Sequence, residues 1–200
     1  MVIKDFGAEP IRKKDLVMFY LIDTSGSMDG TMMDCVNDAM LGICDELLDV
    51  GSLDVRVAAL TFDSQCRWIN ADSPVPAETF KWTPVSGQGH TCCMGQAFRM
   101  LNEKLSCKAW MKQPHESFTP VIILFSNSIP TDDFEGGLEE LKKNSWFKYS
   151  LKVAFAIDQQ ANKEYLEKFT ENPELSLITD NGKDLVNKTR KMFEWVIPKS

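Results

Sequence analysis

Residues 16–22 (LVMFYLI) form an apolar run with no polar alternation, which predicts a strand buried on both faces. After it, Met32, Val36, Ala39, Met40, Ile43 and Leu47 recur at helical spacing. Residues 55–62 predict a second strand, with 66–69 a short partner beside it. Residues 78–82 read as a helical turn. Met94, Ala97, Phe98, Leu101 and Leu105 form another helical stripe. Residues 119–125 (TPVIILF) predict a third buried strand. Residues 134–143 predict a helix whose first turn Gly136 and Gly137 weaken. A strand at 151–157, a helix at 162–169, a short strand at 175–178 and a closing helix at 184–196 complete the pattern.

Strands that alternate with helices imply βαβ units. Right-handed crossovers then put helices on both faces of the sheet. The predicted class is therefore α/β: a single Rossmann-like domain over residues 1–200, its core at about 14–197. The central sheet is expected to be mostly parallel, with one short antiparallel edge strand. Pro74, Pro76, Pro84, Gly87 and Gly89 mark one long connection within it. In such sheets ligands bind at the carboxyl ends of the strands.

Composition narrows the function classes. The 200 residues carry a net charge of −7, with 44% hydrophobic and 26% charged residues. That is ordinary globular composition. The acidity argues against a nucleic-acid partner, which a basic stripe would announce. No apolar run approaches the ~20 residues that span a bilayer, and residues 1–15 lack an apolar signal core, so no membrane association is expected and the cytoplasm is the expected location. The six cysteines form no C-x-x-C pair and lack zinc spacing with His90 and His115. They are expected to be free thiols, Cys35 and Cys44 as small core residues.

The main chemical signal follows the first buried strand: Asp23-Thr24-Ser25-Gly26-Ser27, the pattern D-x-S-x-S. A strand-to-helix turn can aim one carboxylate and two hydroxyls at a single point, and Gly26 eases the bend. Hard oxygen donors in this number suit Mg²⁺ or Mn²⁺ with retained waters. The competing reading makes Ser25 or Ser27 a helix cap. Two later segments are expected at the same edge. Thr91, after Gly87-Gln88-Gly89-His90, can offer a hydroxyl or cap the next helix. Asn127, in Ser126-Asn127-Ser128, ends the third buried strand.

In these motifs the chain resembles the von Willebrand factor A (VWA) family, and within it the tellurium-resistance TerY-like group. Family members carry D-x-S-G-S, a Gly-rich turn with Thr, and a strand ending in Thr-Asp-Gly before Pro-Thr-Asp-Asp. Here these are Asp23 to Ser27, Gly89-His90-Thr91, Ser126-Asn127-Ser128 and Pro130-Thr131-Asp132-Asp133. The likeness continues through Ala154-Phe155-Ala156-Ile157, Ala161, Phe169-Thr170 and Phe193-Glu194-Trp195-Val196, so it covers nearly the whole chain. It implies a non-enzymatic protein-binding module with a metal-ion-dependent adhesion site (MIDAS). The implied ligands are Asp23, Ser25, Ser27 and Thr91, with Asn127 acting through a water and an acidic residue of a protein partner completing the sphere. It further implies a bacterial stress-response or phosphatase- and kinase-linked setting.

The chain departs from the family at Asn127, which keeps a carbonyl oxygen and loses a charge. At ~5 Å and an effective dielectric constant of about 20, that charge is worth roughly 3–4 kcal/mol of gross attraction, much of it screened at an open site. Weaker metal binding is expected, with a metal-independent scaffold as the alternative. Ser128 stands in place of the family glycine.

Other features have plainer readings. Thr131 or Asp132 is expected to cap the helix that follows rather than form a second cation site. Asp63 and Asp158 read as loop acids, Met28 as an exposed rim contact and Met32 as core. A metal-dependent hydrolase using Ser25, His90 and Asp23 is a third reading. It lacks a G-x-S-x-G elbow, and with no phosphate loop or dinucleotide fingerprint either, no small-molecule substrate is expected.

Overall fold

The computed structural model describes residues 14–46, 53–70, 72–158, 163–179 and 181–196. Leu47, Ala161 and Asn162 lie outside them, as does the segment before Lys14. The strands are β1 (Asp15–Asp23), β2 (Asp54–Phe62), β3 (Cys66–Trp68), β4 (Val75–Pro76), β5 (Val121–Phe125), β6 (Leu151–Ile157) and β7 (Ser176–Thr179). The helices are α1 (Thr31–Glu46), α2 (Met94–Lys104), α3 (Phe134–Lys142), α4 (Ser145–Tyr149), α5 (Glu164–Thr170) and α6 (Gly182–Val196). Short 3₁₀ turns occupy Gly26–Met28, Ala77–Thr79 and Pro173–Leu175.

The seven-stranded sheet runs β3-β2-β1-β5-β6-β7, with β4 paired to β2. The pairs β1–β2, β1–β5, β5–β6 and β6–β7 are parallel. Both β3 and β4 run antiparallel to β2, at one edge. The α/β class and the mostly parallel sheet are as expected, with a second antiparallel segment added. Strand β4 holds Pro76, which an edge position tolerates because no ladder bond is needed from its nitrogen.

Alternation along β1 sends Met18, Tyr20 and Ile22 to one face and Val17, Phe19 and Leu21 to the other. The first face packs against Val36, Met40 and Ile43 of α1 and Leu185 and Met192 of α6. The second packs against Phe98 and Leu101 of α2, Leu138 and Leu141 of α3 and Phe169 of α5. Burial on both faces explains why β1 and β5 read as unbroken apolar runs.

The helical turn expected at 78–82 is the 3₁₀ turn Ala77–Thr79. Helix α4 was not expected. It is a single turn capped by the Asn144 side chain, which accepts from the Trp146 N–H at 2.9 Å, and one turn is too short to show a periodicity. Met28 departs from its expected place at the rim, whereas Met32 packs against the core as expected. The 3₁₀ bond from Met28 N–H to the Ser25 carbonyl (2.9 Å) folds Met28 inward, where it is fully buried, while Met32 is half-buried.

Candidate metal centre

Three loops meet at the carboxyl ends of β1, β2 and β5. The loop after β1 stays in register with β2 through Thr24 N–H to Phe62 O (2.8 Å). It then pairs with the glycine turn: Gly89 N–H donates to Thr24 O at 3.0 Å, and Gly26 N–H donates to Gly89 O at 2.5 Å. Two glycines make this approach feasible. A Cβ on Gly87 would lie 2.6 Å from the Asp29 nitrogen, and one on Gly89 would collide with the Asp63 side chain.

Asp23 is fully buried. Its Oδ1 accepts from the Ser25 N–H (2.8 Å), and its Oδ2 accepts from the Ser126 hydroxyl (2.6 Å) and the Cys92 thiol (3.7 Å). Burial, and then the Asp23 carboxylate, push the Cys92 thiol pKa upward, so Cys92 remains a protonated donor. Oδ1 and Oδ2 together offer about four acceptor positions, so these three bonds leave room for a further one.

Three hydroxyls of the loops after β1 and β5 meet one another. Ser25 and Ser27 Oγ are 3.0 Å apart, Ser25 and Ser128 Oγ 2.8 Å, and Ser27 and Ser128 Oγ 2.6 Å. Neither Ser25 nor Ser27 spends its hydroxyl on a helix end: Ser25 flanks the 3₁₀ turn without a side-chain cap bond. The structure thus brings together Asp23, Ser25 and Ser27 and adds Ser126 and Ser128. The Ser-Asn-Ser triplet at the end of a buried strand was the signal for the added pair.

Thr91 and Asn127 are placed differently. The Thr91 hydroxyl pairs with Cys93 Sγ at 3.7 Å. It does not cap α2, whose flanking residue is Cys93. The cap comes instead from Asp132, whose two oxygens accept from the N–H groups of Gly95 (3.0 Å) and Gln96 (2.8 Å). Asp132 therefore caps the preceding helix rather than the following one, which Asp133 caps through the Gly136 N–H at 3.1 Å. Thr131 Oγ1 accepts from Cys92 N–H at 3.0 Å. Asn127 Nδ2 contacts Met32 Sδ (2.7 Å) and Ser27 O (3.5 Å), and its buried Oδ1 has no hydrogen-bond partner.

The loop acids have work near the site. Asp63 accepts from the Thr24 hydroxyl (3.1 Å), the Ser64 hydroxyl (3.1 Å) and the Gln65 N–H (2.9 Å). Burial alone would raise its pKa, but these bonds outweigh it and hold the carboxyl below its ordinary value. Asp158 lines, with Thr31, Met32, Cys35 and Ile157, a cavity of about 210 Å³. His90 is exposed, and the bonds of Ser25 and Asp23 run to other groups. Cys35, Cys66, Cys92, Cys93 and Cys107 are in no disulfide.

Among the described residues no three His, Cys, Asp or Glu side chains gather as a metal cluster. The donors here are one carboxylate and several hydroxyls. Their spacing fits a small cation: ligands at about 2.0–2.1 Å in octahedral array lie ~2.8–3.0 Å apart when adjacent, close to the hydroxyl separations of 2.6–3.0 Å. The unpartnered Asn127 Oδ1 is a further oxygen at this edge. Among the described residues no helix is long and apolar enough to cross a membrane.

No family model matches the chain, and no curated protein matches it. Solved structures do. A von Willebrand factor type A protein from Catenulispora acidiphila matches with a TM-score of 0.68 at 16% identity, over 94% of this chain and 44% of that one. Proximal thread matrix protein 1 from the mussel byssus, in a structure with a zinc-occupied MIDAS motif, matches with a TM-score of 0.61 at 17% identity, over 92% and 48%. The ArnB paralog VWA2 from Sulfolobus acidocaldarius matches with a TM-score of 0.64 at 13% identity, over 89% and 45%. This chain spans less than half the length of each. The likeness establishes the fold, which is that of a von Willebrand factor A domain.

Proposed function

From a von Willebrand factor A fold with this donor set, we propose that the chain is a non-enzymatic protein-binding module with a metal-ion-dependent adhesion site. The observation that carries the reading is the hydroxyl triangle of Ser25, Ser27 and Ser128 beside the buried Asp23 carboxylate. Asp23, Ser25 and Ser27 would hold Mg²⁺ or Mn²⁺, with Thr91 and Asn127 at its margin through waters. The bound ion would supply a positive, open coordination position. With one carboxylate among the protein donors, the ion keeps about one net positive charge, which favours an acidic side chain of a partner protein. Exposed Ile129, directly after Ser128, offers apolar contact at the rim.

The Pro-Thr-Asp-Asp segment supports a TerY-like role in a bacterial cytoplasm, in tellurite stress or in phosphatase- and kinase-linked signalling. That zinc occupies the MIDAS motif of the mussel relative supports divalent metal at the matching loops. A metal-independent scaffold is the second reading. It is favoured by the three hydroxyls, which can satisfy one another, and by the missing charge at Asn127.

Calorimetric titration of chelator-stripped protein with Mg²⁺ and Mn²⁺ tests the choice, with Asp23→Ala as control. Saturable binding lost in Asp23→Ala is expected. Absence of binding up to millimolar metal, together with partner capture indifferent to chelator, would establish the scaffold instead.

A further inference from the structure

We propose that Ser128 is an oxygen ligand of the cation, a fourth protein donor beside Asp23, Ser25 and Ser27. This rests on the metal-dependent reading above and extends it to a residue at which the related family carries glycine and offers no side-chain donor. Ser128 is buried, and its Oγ stands 2.8 Å from Ser25 Oγ and 2.6 Å from Ser27 Oγ. Its backbone is tied to the same carboxylate as the rest of the site. The Ser128 N–H donates to Ser126 Oγ at 3.1 Å, and Ser126 Oγ donates to Asp23 Oδ2 at 2.6 Å.

A hydroxyl has one proton and two acceptor lone pairs. In a ring of three, each hydroxyl donates once and accepts once, which leaves one lone pair on each oxygen. Three such lone pairs on a triangle with edges of 2.6–3.0 Å form one face of a small octahedral site. The neighbouring Asn127 has lost the charge that a carboxylate would bring. A neutral donor at 128 adds a metal–oxygen contact without adding charge, so the site gains ligands while its ion stays electropositive toward a partner.

The test titrates Mn²⁺ into chelator-stripped wild type, Ser128→Ala, Ser128→Thr and Asp23→Ala, by calorimetry and by metal-induced thermal shift. Near-ultraviolet circular dichroism checks each fold. The expected result is about tenfold weaker Mn²⁺ binding in Ser128→Ala, a smaller thermal shift, and affinity within about threefold of wild type in Ser128→Thr, which keeps the hydroxyl. If Ser128→Ala binds Mn²⁺ as tightly as wild type, or more tightly, Ser128 is no ligand, while the loss of binding in Asp23→Ala still upholds the adhesion site. If wild type itself takes up no Mn²⁺, both readings fall together. Should Ser128→Ala misfold, Ser128→Gly takes its place with the same two outcomes: weakened Mn²⁺ binding supports the hydroxyl ligand, and unchanged binding overturns it.

Discussion

Gly95 of α2 and Gly137 of α3 pack backbone against backbone: a Cβ at Gly137 would be driven into the Gly95 carbonyl, and one at Gly95 into the carbonyl of Asp133. Both helices carry an acid-capped first turn at this crossing. Gly95→Ala is expected to destabilise the fold by about 1–3 kcal/mol through overpacking, although alanine is the better helix former by ~1 kcal/mol. Urea unfolding measures it. A variant as stable as wild type would mean that the two helices do not touch at these glycines.

Asn127→Asp is expected to tighten Mg²⁺ binding by about tenfold or more, a fraction of the roughly 3–4 kcal/mol of gross attraction that solvent screens. Without metal, the new carboxylate would face the Ser27 carbonyl and the Met32 sulfur, both acceptors. The variant should therefore melt lower than wild type in chelator and regain stability in Mg²⁺. Equal affinity in a titration would show that residue 127 faces away from the ion.

The Asp63 carboxyl is held below its ordinary value of 3.8 by the bonds from Gln65, Ser64 and Thr24, which overcome the opposing effect of burial. A depressed folded pKa contributes stability that is fully present above the unfolded value and is lost as pH falls through the folded one. Asp63→Asn should thus be less stable than wild type at about pH 7, with the gap closing below about pH 4. Urea midpoints across that range measure it. A gap that stays constant down to about pH 2 would refute the assignment.

The parts of this molecule that were legible in the sequence are those governed by local rules. Strands β1 and β5 showed as apolar runs because each is covered on both faces. Asp23, Ser25 and Ser27 were legible because one turn supplies all three. What escaped depends on meetings between distant segments. Ser128 lies 101 residues from Ser27, and no periodicity links them. Asp132 caps a helix 37 residues before it, whereas a cap is sought in sequence beside its own helix. Met28 misled because a 3₁₀ bond reversed its direction one residue after an exposed serine. Gly136 and Gly137 looked like flaws in a helix. In the fold, Gly137 is what lets α3 lie against α2.

The reach of Asp132 across to Gly95 and Gln96, with Thr131 on Cys92, joins the loop after β5 to the turn before α2. Ser128 thus stands three residues before an anchor that fastens the loop after β5 to the first turn of α2, so one wall of the hydroxyl triangle is braced by a helix end.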